Sequence, residues 1–281
     1  MLRVHHLDCA TLCTLAPRLV VGPDHPGMVC HALLVETDAG LVLVDAGLGT
    51  HDVRAPIERL GRGFNWVVRP RLDEAQTAVR QVERLGYTAA DVRHIVLTHL
   101  DLDHAGGMSD FPNAKVHVTL QEHEAAMLAS TFKEQRRYRG AQWAHWPDFE
   151  LYRTRGTQWF GFDAVDQLRG LPPEILLVPL FGHTRGHAGV AVHTTDGWQL
   201  HAGDAYFHRA TVEGGRVPLA LRISERIFDM DVTARMANQV RLGALARSGD
   251  ARVFCAHDPV EFARLSPRHG APCASPSPSP S

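Results

Sequence analysis

The chain has 281 residues, 44% hydrophobic and 21% charged, with 29 Lys and Arg against 31 Asp and Glu, a composition that fits one nearly neutral globular body able to form its own core. A formal net charge of -2 argues against the basic stripe of a nucleic-acid binder, and no apolar run reaches the roughly 18 residues of a membrane span. Five scattered cysteines do not form a disulfide framework, and the opening MLRVHHLDCATLC puts His and Asp where a secretory leader needs an apolar stretch, so reduced thiols and a cytoplasmic location are expected.

In chain order, HALLVETDAGLVLVDAG (31–47) reads as a hairpin: two β-branched apolar runs flank a turn ending in Gly40. Residues 73–86 place Ala75, Val79, Val82 and Leu85 at helical spacing, with Gly86 as the stop. HIVLTH (94–99) and AKVHVTL (114–120) read as short buried strands. Residues 121–170 then break the alternation, with nine aromatics between Phe132 and Phe162 among several arginines. This segment reads as a helical or irregular insertion. It serves as an apolar cover for a ligand, as a dimer contact or as plain packing. Strands return at 174–180, 189–194 and 198–204, followed by a helix near 229–247 and a last strand at 251–257. Residues 1–265 form a single mixed α/β domain on this reading, and the Pro/Ser-rich 266–281 is a disordered tail.

The chain carries 18 histidines, and the chemical signal lies in where they converge. THLDLDHAGG (98–107) follows an apolar strand and sets His99, Asp101, Asp103 and His104 in the pattern HxDxDH. Alternate residues of an extended segment share a side, which lets His99, Asp101 and Asp103 face one point, and a turn towards Gly106 and Gly107 brings His104 in. Two buried carboxylates this close need a cation. As a solvated polar loop the stretch would need none. That bland reading loses ground because His183, Asp204 and His257 also follow apolar runs, which gathers the loops on one sheet edge.

With these motifs the sequence resembles the metallo-β-lactamase superfamily, which includes glyoxalase II and the acyl-homoserine lactonases. The matching stretches are HLDLDH (99–104), GHTRGH (182–187), AGDAYF (202–207) and CAHD (255–258), with VDAG (44–47) as the early Asp-Gly turn. The resemblance implies a four-layer αββα sandwich with a dinuclear site at one edge. His99, Asp101 and His183 would hold the first metal and Asp103, His104 and His257 the second, with Asp204 bridging. It further implies a metal-bridging hydroxide that attacks an ester, lactone or thioester of a small, partly apolar molecule, lactonase-like in the best reading. Asp103 would both ligate and orient the nucleophile, Tyr206 would reach a substrate carbonyl, Asp45 would orient a ligand histidine, and His187 would stand beside the site.

The departure is Asp101, where the family usually has histidine. The carboxylate makes a two-metal site with its hydroxide formally neutral, which tilts preference from zinc, the family's usual metal, towards manganese or iron. In the bland alternative Asp101 turns away and leaves the first metal position weak. Two rival functions remain on this reading: a mononuclear iron oxidoreductase resembling persulfide dioxygenases, and a non-catalytic metal-binding sensor of the same fold.

Overall fold

The computed structural model describes residues 2–14, 25, 27–154, 156–163 and 168–266. The tail expected to be disordered lies, from 267 onward, outside the described residues.

Six strands form the first sheet: β1 (Arg3–Leu12), β2 (Met28–Thr37), β3 (Gly40–Val44), β4 (Val92–Val96), β5 (Lys115–Thr119) and β6 (Asp148–Tyr152), in spatial order β1-β2-β3-β4-β5-β6. β1, β2 and β3 pair antiparallel, and the pairs from β3 to β6 are parallel. A two-stranded ribbon, β7 (Gln158–Trp159) and β8 (Phe162–Asp163), leads to the second sheet. That sheet contains β9 (Ile175–Pro179), β10 (Ala188–Thr194), β11 (Gly197–His201) and β12 (Ala251–Phe254), in the order β12-β11-β10-β9.

The central strands β2 and β3 are apolar on both sides because the sheet is covered on both faces there. In β2, Leu33 and Val35 join the cluster between the sheets, where they meet Ile175, Leu177 and Val190, while Ala32 and Leu34 join the outer cluster. Each such fully buried Leu or Ile contributes about 1.5–3 kcal/mol. The outer face of the first sheet is covered by a helix at Ala78–Arg84, and that of the second by Val212, Leu242 and Leu245 from helices at Ala210–Glu213 and Val232–Ser248. The four-layer αββα sandwich is therefore present.

In chain order the helices are α1 (Thr50–Arg54), α2 (Pro56–Arg59), α3 (Gly61–Val67), α4 (Ala78–Arg84), α5 (Leu102–Ala105), α6 (Leu120–Leu128), α7 (Phe132–Arg137), α8 (Ala210–Glu213), α9 (Leu219–Phe228), α10 (Val232–Ser248) and α11 (Pro259–Leu265). Among the described residues none is long and apolar enough to cross a membrane.

The hairpin forms as expected, with Thr37 opposite Gly40 at φ +112°. The helix expected over 73–86 starts later. Asp73 accepts from Ala75 N and caps a short 3-10 turn, so α4 begins at Ala78, and Ala75 and Leu85 stay exposed. Segment 121–170 opens with helices but then contributes β6, an edge strand of the first sheet. Its aromatics are mostly packing. Tyr138, Tyr152, Trp159 and Phe162 are buried and Trp143 and Phe149 pack against the outer core, whereas Phe132, Trp146 and Phe160 are exposed.

Candidate metal centre

β4 runs into an extended segment that ends at Asp101, the N-cap of α5, and the first turn of α5 carries Asp103 and His104. The motif therefore does not present His99, Asp101 and Asp103 to one point, as alternation along a strand suggested. It splits. His99 and Asp101 gather with His183 and Asp204, His104 gathers with Asp204 and His257, and Asp103 stands with His257 and Cys30; in each set the ligand atoms lie within 4.8 Å of one another. A Cβ on Gly107 would come within 2.3 Å of Ala46 O, so the glycine is what lets this loop lie against the loop after β3.

In the first group, His183 Nε2 lies 3.1 Å from Asp101 Oδ2 and 3.3 Å from Asp204 Oδ2, and His99 Nε2 lies 3.3 Å from Asp101 Oδ2. In the second, Asp204 Oδ1 lies 3.3 Å from His104 Nε2 and 3.1 Å from His257 Nε2, and Asp103 Oδ2 is 3.7 Å from His257 Nε2. Asp204 thus spans both groups.

The far nitrogens of the imidazoles are held. His104 Nδ1 donates to Asp45 Oδ2 (2.8 Å) and His257 Nδ1 to Val29 O (2.8 Å), while His99 Nδ1 lies 2.9 Å from Thr98 Oγ1, whose hydroxyl donates to Asp45. That tautomer leaves each Nε2 lone pair aimed into the cluster. His99 Nε2, His104 Nε2, Asp101 Oδ1 and Asp204 Oδ1 are buried without a hydrogen-bond partner. Polar atoms orphaned this way cost about 1–3 kcal/mol each, and an imidazole and carboxylate set is what a divalent cation satisfies. The residues fit a metal.

The local field favours positive charge. Burial alone would lower His104, but Asp204 and Asp45 hold it well above the usual imidazole range, and His257 is raised against burial by Asp204 and then Asp103. Burial alone would raise the Asp101 carboxyl, yet Arg137, then His99 and His183, hold it well below the usual carboxylate range.

Asp45, at φ +56°, accepts from Thr98 N, Thr98 Oγ1 and His104 Nδ1. His187 donates from Nδ1 to Leu180 O and accepts Asp204 N–H at Nε2, which positions Asp204 from behind. Tyr206 is a correction. It is fully buried in the outer core of the second sheet and its hydroxyl donates to Glu261 Oε1 (3.0 Å), so it cannot meet a substrate. The chain turns inward after Asp204, and Phe207 is the aromatic that packs on His183 and His257.

Four further residues shape the site. Glu122, buried on α6, accepts from Leu100 N, Tyr138 Oη, Thr184 Oγ1 and Gly186 N, and so joins the two loops that carry His99 and His183. Asp229 Oδ1 stands 3.7 Å from His183 Nδ1. Cys30 faces Asp103, with burial and then Asp103 pushing its thiol well above the usual range. Arg137 pairs with Asp101 at 2.8 Å. Glu122 and Arg137 sit in the segment singled out for its aromatics, and no local spacing links either to the HxDxDH loop.

Comparison with known proteins agrees with this geometry. The family model described as "Metallo-beta-lactamase superfamily" matches residues 25–257. A protein of Mycobacterium tuberculosis named "Probable metallo-hydrolase" is 45% identical over 260 residues, 92% of this chain and 80% of that protein. An N-acyl homoserine lactonase of Agrobacterium fabrum is 36% identical over 99 residues, 35% of this chain and 37% of its own. A solved N-acyl homoserine lactone hydrolase, with N-hexanoyl-L-homoserine at its catalytic metal centre, superposes with TM-score 0.68 at 24% identity, covering 92% of this chain and 94% of that one, a likeness of fold. The αββα sandwich, the His and Asp donors at its sheet edge and a family match spanning most of the sequence make the chain a metal-dependent hydrolase of the metallo-β-lactamase superfamily.

Proposed function

We propose that the chain opens an ester or lactone bond of a small, partly apolar molecule, as a lactonase does, and that His99, Asp101, His183, Asp204, Asp103, His104 and His257 are its metal ligands. The observation that carries this reading is the convergence of two His and Asp donor groups on one shared carboxylate, Asp204, with four of their atoms buried and unpartnered. Divalent ions held there, zinc by family or manganese or iron in keeping with Asp101, would supply a water nucleophile at neutral pH and positive charge against the oxyanion.

The protein's own residues do the rest. Asp103, largely buried beside His257, orients the nucleophile and returns a proton to the leaving oxygen. Phe207 lines the centre with an apolar wall. The lactone link rests on relatives that share part of the sequence or the fold, so the test is direct. Protein loaded with zinc or manganese is assayed against panels of lactones, esters and thioesters. Turnover of a lactone or ester is expected, with Asp103→Asn and His104→Ala abolishing it at unchanged circular dichroism and Tyr206→Phe preserving it. Near-normal rates in either of the first two variants would refute the assignment.

A further inference from the structure

α7 enters the metal centre with its last residue. The Arg137 side chain is 7% exposed, and its Nη1 lies 2.8 Å from Asp101 Oδ2 and 3.1 Å from His183 Nε2. Its Nη2 donates to Phe228 O, the C-terminal residue of α9. A guanidinium in a protein does not lose its charge. Two of the four members of the first donor group therefore face a fixed internal cation. His183 Nε2 has one lone pair, which either accepts an N–H or binds a metal. The second group differs. Among the described residues no lysine or arginine pairs with Asp103, His104, Asp204 or His257.

We propose that Arg137 is a resident cation competing with metal for the first donor group, so that the protein holds one divalent ion tightly on Asp103, His104, Asp204 and His257 and a second only weakly. The proposal rests on reading these residues as metal ligands, and it explains why a carboxylate stands at position 101. Asp101 is the counter-ion of the guanidinium, which puts one positive charge where a metal would put two. A second ion binds when Arg137 gives up His183, so occupancy of the first group becomes graded by metal concentration.

The test counts metal rather than turnover. Metal-stripped protein is titrated with zinc alone by calorimetry, and retained zinc is measured by elemental analysis after desalting. One retained ion per chain is expected for the wild type, with the second binding about ten- to a hundredfold more weakly. Arg137→Met keeps the stem of the side chain and removes its charge, and it should retain two ions. Arg137→Leu, which removes the guanidinium with a second apolar side chain, should do the same and decides the matter if Arg137→Met does not fold. Arg136→Met, altering the neighbouring arginine that lies over Phe132, should leave the count at one. Two equally tight ions in the wild type, or one ion in both Arg137→Met and Arg137→Leu, would overturn the proposal. A chain that retains one ion but hydrolyses nothing would refute the proposed activity and leave this inference standing.

Discussion

Asp45 shows how much of the site depends on a residue that need not touch a metal. Its φ of +56° lies in the left-handed region, which Asn tolerates as readily as Asp. Asp45→Asn therefore tests the carboxylate without testing the backbone. One Asp45 oxygen accepts Thr98 N–H, and the other accepts from Thr98 Oγ1 and His104 Nδ1. An amide nitrogen in the first place opposes a buried main-chain N–H. In the second it opposes His104 Nδ1–H and drives the proton to Nε2, which removes the lone pair aimed at the cluster. Metal affinity should fall about ten- to a hundredfold, read by competition with a chromophoric chelator, while circular dichroism is unchanged; equal affinity would show that His104 needs no orienting carboxylate. A role for Asp45 was expected only through the resemblance that VDAG helps to carry. The inward place of Tyr206 was not legible, because the inward turn after Asp204 leaves no mark in residue spacing.

At the scale of elements, legibility followed burial. Strands covered on both faces appear as unbroken apolar runs, so the hairpin and the strands bearing the site could be read directly. α9 could not. Leu219, Ile223 and Ile227 recur at helical spacing, but they are 68%, 50% and 60% exposed, while Glu225 points inward to Arg235. The periodicity marks the outer face. The part α6 plays in the site was hidden for another reason: there it contributes one polar residue that joins distant loops. Glu122 Oε1 takes Leu100 N–H and Tyr138 O–H, and Oε2 takes Thr184 O–H and Gly186 N–H. In Glu122→Gln the amide nitrogen must oppose one of the two main-chain donors, at a cost of about 1–3 kcal/mol. Urea unfolding at fixed metal should show that loss. A change below about 0.5 kcal/mol, the size of an ordinary surface substitution, would mean that the loops are held without Glu122.

Across the whole molecule the donors come from both halves of the sandwich. His99, Asp101, Asp103 and His104 follow β4 of the first sheet, while His183, Asp204 and His257 follow β9, β11 and β12 of the second. Hydrogen bonds already join the halves near this edge, among them Ala188 N to Thr98 O (2.8 Å), His31 N to Ala256 O (2.9 Å) and Thr119 Oγ1 to Gly186 O (2.6 Å). A cation shared by Asp204 and the β4 loop would be a further bond between the halves, and one that the unfolded chain cannot make. Binding to the folded state alone stabilises it by about 2.7 kcal/mol at a free concentration one hundred times the dissociation constant. For a chain of this size chelation should then lower the melting temperature by roughly 5–10 °C. Thermal unfolding in EDTA, followed by restoration with zinc or manganese, measures it, and the midpoint should climb with the logarithm of free metal. A midpoint indifferent to chelator would mean that the donors meet without capturing an ion, and the link between fold and chemistry at this edge would be lost.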